Sequence, residues 1–92
     1  MFSERIRLLR KSYNYNQQEL AGRLGVSKQS VSNWENGNIL PSIDMLIKLA
    51  KLFSVSTDYI LGLDNRLTID ITGLTVEKVS HIQQIINDMV RG

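Results

Sequence analysis

Residues 17–36, QQELAGRLGVSKQSVSNWEN, decide the fold. Gly25 divides the stretch in two. Before it, Leu20, Ala21 and Leu24 stand at i, i+1 and i+4, the apolar stripe of a short helix. After it, Val31 and Trp34 stand three apart on one side of a second helix. Gly25 suits the positive φ that ends a helix, and Ser27 is placed to cap the next one. Two short helices joined by so tight a turn must cross steeply, which predicts a helix-turn-helix unit. Ala21 fits this geometry, because a close crossing needs a small side chain and alanine keeps full helix propensity.

The outer face of the second helix separates this reading from an ordinary αα-hairpin. With Val31 and Trp34 turned inward, Gln29, Ser32, Asn33 and Asn36 point outward, with Lys28 at the helix start. A merely solvated helix usually carries Glu/Lys pairs there. This one presents amides, a hydroxyl and one cation. Gln and Asn pair bidentately with adenine, Lys with guanine and Ser with either, so the surface suits the major groove of DNA.

The same stretch resembles the Cro/CI-type (XRE) helix-turn-helix regulators, whose recognition helix and following turn are matched by SKQSVSNWENG. The resemblance covers residues 2–62 and implies an all-α, lambda-repressor-like domain of five helices. Carried over by position, it implies base contacts from Lys28, Gln29, Ser32 and Asn33, and phosphate contacts from Gln17 and Asn36. It also implies an internal ion pair between Arg10 and Glu35.

Size and composition are compatible with this. Ninety-two residues form one small domain, or one with an appendage. No cysteine is available for disulfides or thiolate metal sites. No apolar run approaches the ~20 residues of a membrane span, and the charged start MFSERIRLLRKS does not read as a signal peptide. A soluble, cytoplasmic protein is expected. Residues 1–63 hold eight Lys/Arg against five acids, whereas residues 64–92 hold three against four. The basic excess therefore lies in the part that carries the motif, as phosphate binding requires.

Around the motif, residues 2–12 form a basic amphipathic helix with Ile6 and Leu9 inward and Ser3 as its expected cap. Asn16 and Glu19 form a capping-box pair at Gln17, placing its amide where free backbone N–H groups would also meet a phosphate. Tyr13 and Tyr15 stay unassigned between the core and the DNA edge. Ser42 opens a helix whose buried stripe is Met45, Leu46, Leu49, Ala50 and Phe53, and Ser56 opens a short one closed by Gly62. Ile39 is expected to pack on Trp34.

Residues 64–74 then change character. Leu67, Ile69 and Ile71 alternate with polar residues, as in a linker or a strand paired across a dimer. A last helix follows at residues 75–90, capped by Thr75. Val79, Ile82, Ile86 and Met89 make its apolar stripe, with Val76, Ile85 and Val90 on the flank. Residues 75–92 are expected to serve dimerisation, because residues 1–63 already close a domain.

Catalysis is not expected. His81 is the only histidine, and no nucleophile–base grouping, metal-ligand cluster or phosphate-cradling glycine run is present, so neither a cofactor nor a metal is called for. The function that follows is a homodimeric regulator, a repressor in sense, on an inverted-repeat DNA operator. The rival is a protein-binding adaptor or antitoxin-like regulator whose last helix captures a regulatory protein partner.

Overall fold

The computed structural model describes residues 2–67 and 71–91. Six helices lie among them: α1 (Phe2–Ser12), α2 (Gln17–Leu24), α3 (Lys28–Glu35), α4 (Ile43–Phe53), α5 (Thr57–Leu61) and α6 (Val76–Arg91). No strand occurs among the described residues.

Local chemistry sets nearly every boundary. Asn16 accepts the Glu19 N–H at 2.7 Å while the Glu19 carboxylate accepts the Asn16 N–H at 2.9 Å, closing a capping box at the head of α2. Ser27, Ser42 and Ser56 accept N–H groups from Ser30, Met45 and Tyr59 at the heads of α3, α4 and α5. Thr75 likewise accepts the Lys78 N–H at 3.2 Å, so α6 starts where the sequence indicates. At the other end of α2, Gly25 adopts φ +73°. Nothing lies within 4 Å of a Cβ built on it, so backbone conformation and not space demands glycine there. Helix α1 begins at Phe2, which places Ser3 in the first turn and not at the cap.

Helices α1 to α5 surround one core. Ile6, Leu20, Leu49, Val31, Phe53 and Ile60 are its most deeply buried side chains, joined by Leu9, Ala21, Leu24, Trp34, Leu46 and Tyr59. Each fully buried Leu, Ile or Phe contributes roughly 1.5–3 kcal/mol from apolar burial. Ala21, fully buried where α2 meets α3, lets the two backbones approach as its size predicts. The tyrosines divide the work of the α1–α2 turn. Tyr13 donates its hydroxyl to the Phe53 carbonyl at 3.0 Å and meets the Phe53 ring edge-on, while Tyr15 stacks beside Tyr13 and has the Arg23 guanidinium 5.4 Å from its ring centre. Both therefore serve the fold.

Ile39 departs from expectation. It is 54% exposed, and with Leu40, Ile43 and Ile47 it leaves apolar surface in the open. The α3–α4 connection is held instead by backbone, the Asn38 and Ile39 N–H groups both reaching the Asn33 carbonyl. Of the alternating segment, Leu67 and Ile71 are exposed and a turn follows, with the Leu74 N–H donating to Ile71 O. The intervening Ile69 and its neighbours lie outside the described residues.

No residue of helix α6 is fully buried. Val79 and Ile82 are half-buried, whereas Ile86 and Met89 are 38% and 77% exposed. The radius of gyration, 15.1 Å, exceeds the roughly 12 Å of a compact 92-residue domain, because α6 extends away from the five-helix body.

Candidate nucleic-acid interface

Helix α3 is fastened along one side by Val31 and Trp34 and ends in a buried carboxylate. Glu35 accepts from Arg10 twice, Nε at 2.6 Å on Oε2 and Nη2 at 2.9 Å on Oε1, the planar fork of guanidinium on carboxylate. Arg10 uses its third nitrogen on the Tyr15 carbonyl at 2.9 Å. Two further donors reach Glu35: Gln17 Nε2 at 3.3 Å from Oε1, and Arg7, whose Nη2 donates to the Glu35 carbonyl at 3.1 Å. Burial pushes the Glu35 carboxyl upward, but the hydrogen bonds from Arg10 and Gln17 and the charges of Arg10 and Arg7 outweigh it, so Glu35 lies below the ordinary carboxyl range. The hydrogen bond to Glu35 raises the Arg10 guanidinium in turn. No buried side-chain nitrogen or oxygen among the described residues lacks a partner.

This cluster locks α1, the head of α2 and the tail of α3 together, and so aims the opposite face of α3. Lys28, Gln29 and Asn36 are exposed there, while Ser32 and Asn33 are half-buried. Gln29 Nε2 donates to Asn33 Oδ1 at 3.1 Å, one turn apart, and Asn36 Nδ2 reaches Ser32 Oγ at 3.4 Å. The two pairs pre-arrange the amides along the helix. Each keeps unused donors and acceptors for a base edge.

Beside this face a cleft of about 370 Å³ is lined by Arg10, Asn16, Gln17, Gln18 and Lys28. It joins the head of α2 to the head of α3. The Asn16 side chain is occupied by the Glu19 N–H, and the first-turn N–H groups of Gln17 and Gln18 have no carbonyl a turn earlier to accept them. Those donors, the positive end of the helix dipole and the Lys28 ammonium gather positive potential in this corner.

All six DNA-facing residues expected from the sequence thus lie on one side of the α2–α3 unit, and Arg10 and Glu35 meet as expected. Two participants and one contact were missed. Gln18 lines the cleft, and its place one residue after Gln17 in the first turn was a usable signal. Arg7 depends on how closely α1 approaches the end of α3, which spacing does not reveal. The Gln17–Glu35 hydrogen bond depends on the same approach. His81 is exposed on α6, and no group of three potential metal ligands exists among the described residues.

A helix-turn-helix family model matches residues 6–60, and the chain belongs to that family, in its XRE or Cro/CI-like branch. Among its relatives is the transcriptional regulator YobD of Bacillus subtilis, 41% identical over 63 residues, which are 68% of this chain and 56% of YobD. The chain spans about half the length of several curated relatives it matches. Two solved structures extend the likeness. The P22 c2 repressor bound to a synthetic operator superposes with a TM-score of 0.66 at 36% identity, over 70% of this chain and 97% of that one. The SinR protein/SinI protein complex matches all of both chains with a TM-score of 0.64 at 25% identity. The family consists of DNA-binding transcription regulators and not of enzymes, in line with the sequence.

Proposed function

We propose that the chain is a sequence-specific transcriptional regulator that acts as a repressor and binds an inverted-repeat operator as a homodimer. One observation carries the reading: the solvent face of α3 holds Lys28, Gln29, Ser32, Asn33 and Asn36 and no Glu/Lys pair, beside a corner suited to phosphate. Lys28, Gln29, Ser32 and Asn33 read base edges, and Gln17 and Asn36 hold phosphates and fix the register. The P22 c2 repressor, seen on its operator, supports that assignment.

Residues 1–63 are the DNA-binding domain, residues 64–74 connect, and residues 75–92 associate through Val79, Ile82, Ile86 and Met89. Burial of four such side chains contributes ~6–10 kcal/mol before the cost of association. Two-fold symmetry then sets the recognition helices in successive major grooves, about 34 Å apart. The protein works in the cytoplasm, where its DNA lies. Selection from a random-site duplex pool, followed by sequencing of the retained DNA, tests the whole reading. A two-fold motif is the expected outcome, and absence of any enriched motif overturns it.

A second reading is favoured by the exposed stripe of α6 and by the full-length likeness to the SinR/SinI complex: the last helix meets a different regulatory protein. Hydrodynamic mass of the isolated chain, with and without residues 75–92, separates the two. A monomer in both cases favours the second.

A further inference from the structure

One oxygen of Glu35 gathers three donors, and the charges around it do not cancel. Oε1 lies 2.9 Å from Arg10 Nη2, 3.3 Å from Gln17 Nε2 and 3.5 Å from Arg7 Nε. Two guanidinium groups thus face a single carboxylate. Arg10, buried and forked on both carboxylate oxygens, is its close partner. Arg7 is the surplus cation: its side chain is 47% exposed, and it pairs with no other acid among the described residues.

The place of that charge is fixed from two sides. Arg7 Nη2 donates to the Glu35 carbonyl at 3.1 Å, one peptide bond from Asn36, while Nε and the Gln17 amide share Oε1 as a common neighbour. Ser3, Arg7 and Arg10 stand at i, i+4 and i+7, so one face of α1 runs along the tail of α3. The Ser3 hydroxyl lies 3.9 Å from the place a Cβ on Gly37 would take, which carries the same face past the turn. Arg7 Nη1 donates to nothing among the described residues, and Nη2 keeps a second hydrogen.

We infer that Arg7 is a third DNA-backbone contact, standing between Gln17 and Asn36 and supplying the positive charge that those two amides lack. The inference rests on the DNA-binding reading above, which gives Gln17 and Asn36 to phosphates. A neutral amide holds a phosphate by hydrogen bonding alone, whereas a cation also releases a condensed counterion from the DNA. The spare edge of the guanidinium suits a phosphate oxygen, and the bond to the Glu35 carbonyl orients it within the free chain. Affinity that depends on salt is therefore the quantity Arg7 controls.

The test is the salt dependence of binding, with the full chain titrated onto a random-sequence duplex from about 50 to about 200 mM salt. Loss of one cation–phosphate contact lowers the slope of log affinity against log salt by about 0.9 per bound copy. Arg7→Gln removes the charge and keeps an amide donor for the Glu35 carbonyl. Its loss of affinity over that range is ~3.5-fold smaller than the wild type's for one bound copy and ~12-fold smaller for two. Arg7→Lys keeps the charge and the wild-type slope. Gln17→Ala binds more weakly at every salt concentration with its slope unchanged. Lys51→Gln, on α4, which holds none of the proposed contacts, controls for net charge and shifts the slope less than Arg7→Gln does. Arg7→Met decides the matter if Arg7→Gln does not fold. A salt-dependent wild type whose slope Arg7→Gln leaves unchanged, or which Arg7→Lys or Lys51→Gln lowers equally, overturns the contact alone. A wild type that does not bind duplex DNA, or binds it without regard to salt, overturns the DNA-binding reading and the contact with it.

Discussion

Gln17 Nε2 donates to Glu35 Oε1 at 3.3 Å, which ties the residue that opens α2 to the residue that closes α3. Glu35 uses one hydrogen of the Gln17 amide nitrogen, and the second is left for an acceptor in the cleft beside Lys28. The amide, to which the proposed function gives a phosphate, is thereby oriented within the free-standing chain.

Gln17→Ala removes a contact that carries no sequence information. Binding should weaken by a similar factor on operator and on random duplex, with the preferred motif unchanged. Gln17→Glu should weaken both further, since it sets a second carboxylate beside Glu35 and faces the phosphate with like charge. Titration of the two duplexes at fixed salt measures both effects; a change of motif would contradict the phosphate role.

Glu35 makes stability fall in acid. Its carboxyl is depressed in the folded chain, so the stabilisation is fully present above the ordinary value of 4.5 and is lost as pH falls through the lower folded value. Denaturant midpoints from pH 7 down to 3 should decline below about pH 4.5, and Glu35→Gln should remove part of that slope. Glu35→Ala should be destabilising at neutral pH by about 3 kcal/mol or more, because it strands the Arg10 guanidinium, whose side chain is only 11% exposed.

Gln29→Ala and Asn33→Ala should each cost ~1–3 kcal/mol on the operator and relax the preference at a base pair. Their hydrogen bond at 3.1 Å couples them, so the double variant should lose less than the two single losses combined. Equal losses on operator and random DNA would refute the base-reading roles.

Ser54 closes α4 with φ +54°, a left-handed conformation that disfavours residues with a Cβ. Ser54→Gly should raise stability by roughly 0.5–1 kcal/mol, seen as a higher thermal midpoint with DNA affinity unchanged.

Where a boundary is decided by neighbours in sequence, it could be read in advance. Asn16, Ser27, Ser42, Ser56 and Thr75 cap the helices they precede, and Gly25 and Gly62 take positive φ at the helix ends expected of them. The apolar periods likewise placed Leu20, Ala21, Leu24, Val31 and Trp34 inside. What escaped reading depends on distances between helices. Arg5 and Arg7 looked like ordinary basic residues of α1, and only the approach of α5 and of the α3 terminus gives each its acceptors. Ile39 was misjudged for a related reason: its N–H follows the Asn33 carbonyl, and that backbone path leaves the side chain outside.

No residue of α6 is buried in the five-helix body, so the two parts share no core that must change when either does. On the proposed roles, substitutions along the Val79–Met89 stripe therefore alter which chain this one joins while the solvent face of α3 keeps its shape. A lineage that duplicated such a gene would have a short route to insulated regulators: new pairing preferences first, new target sites afterwards.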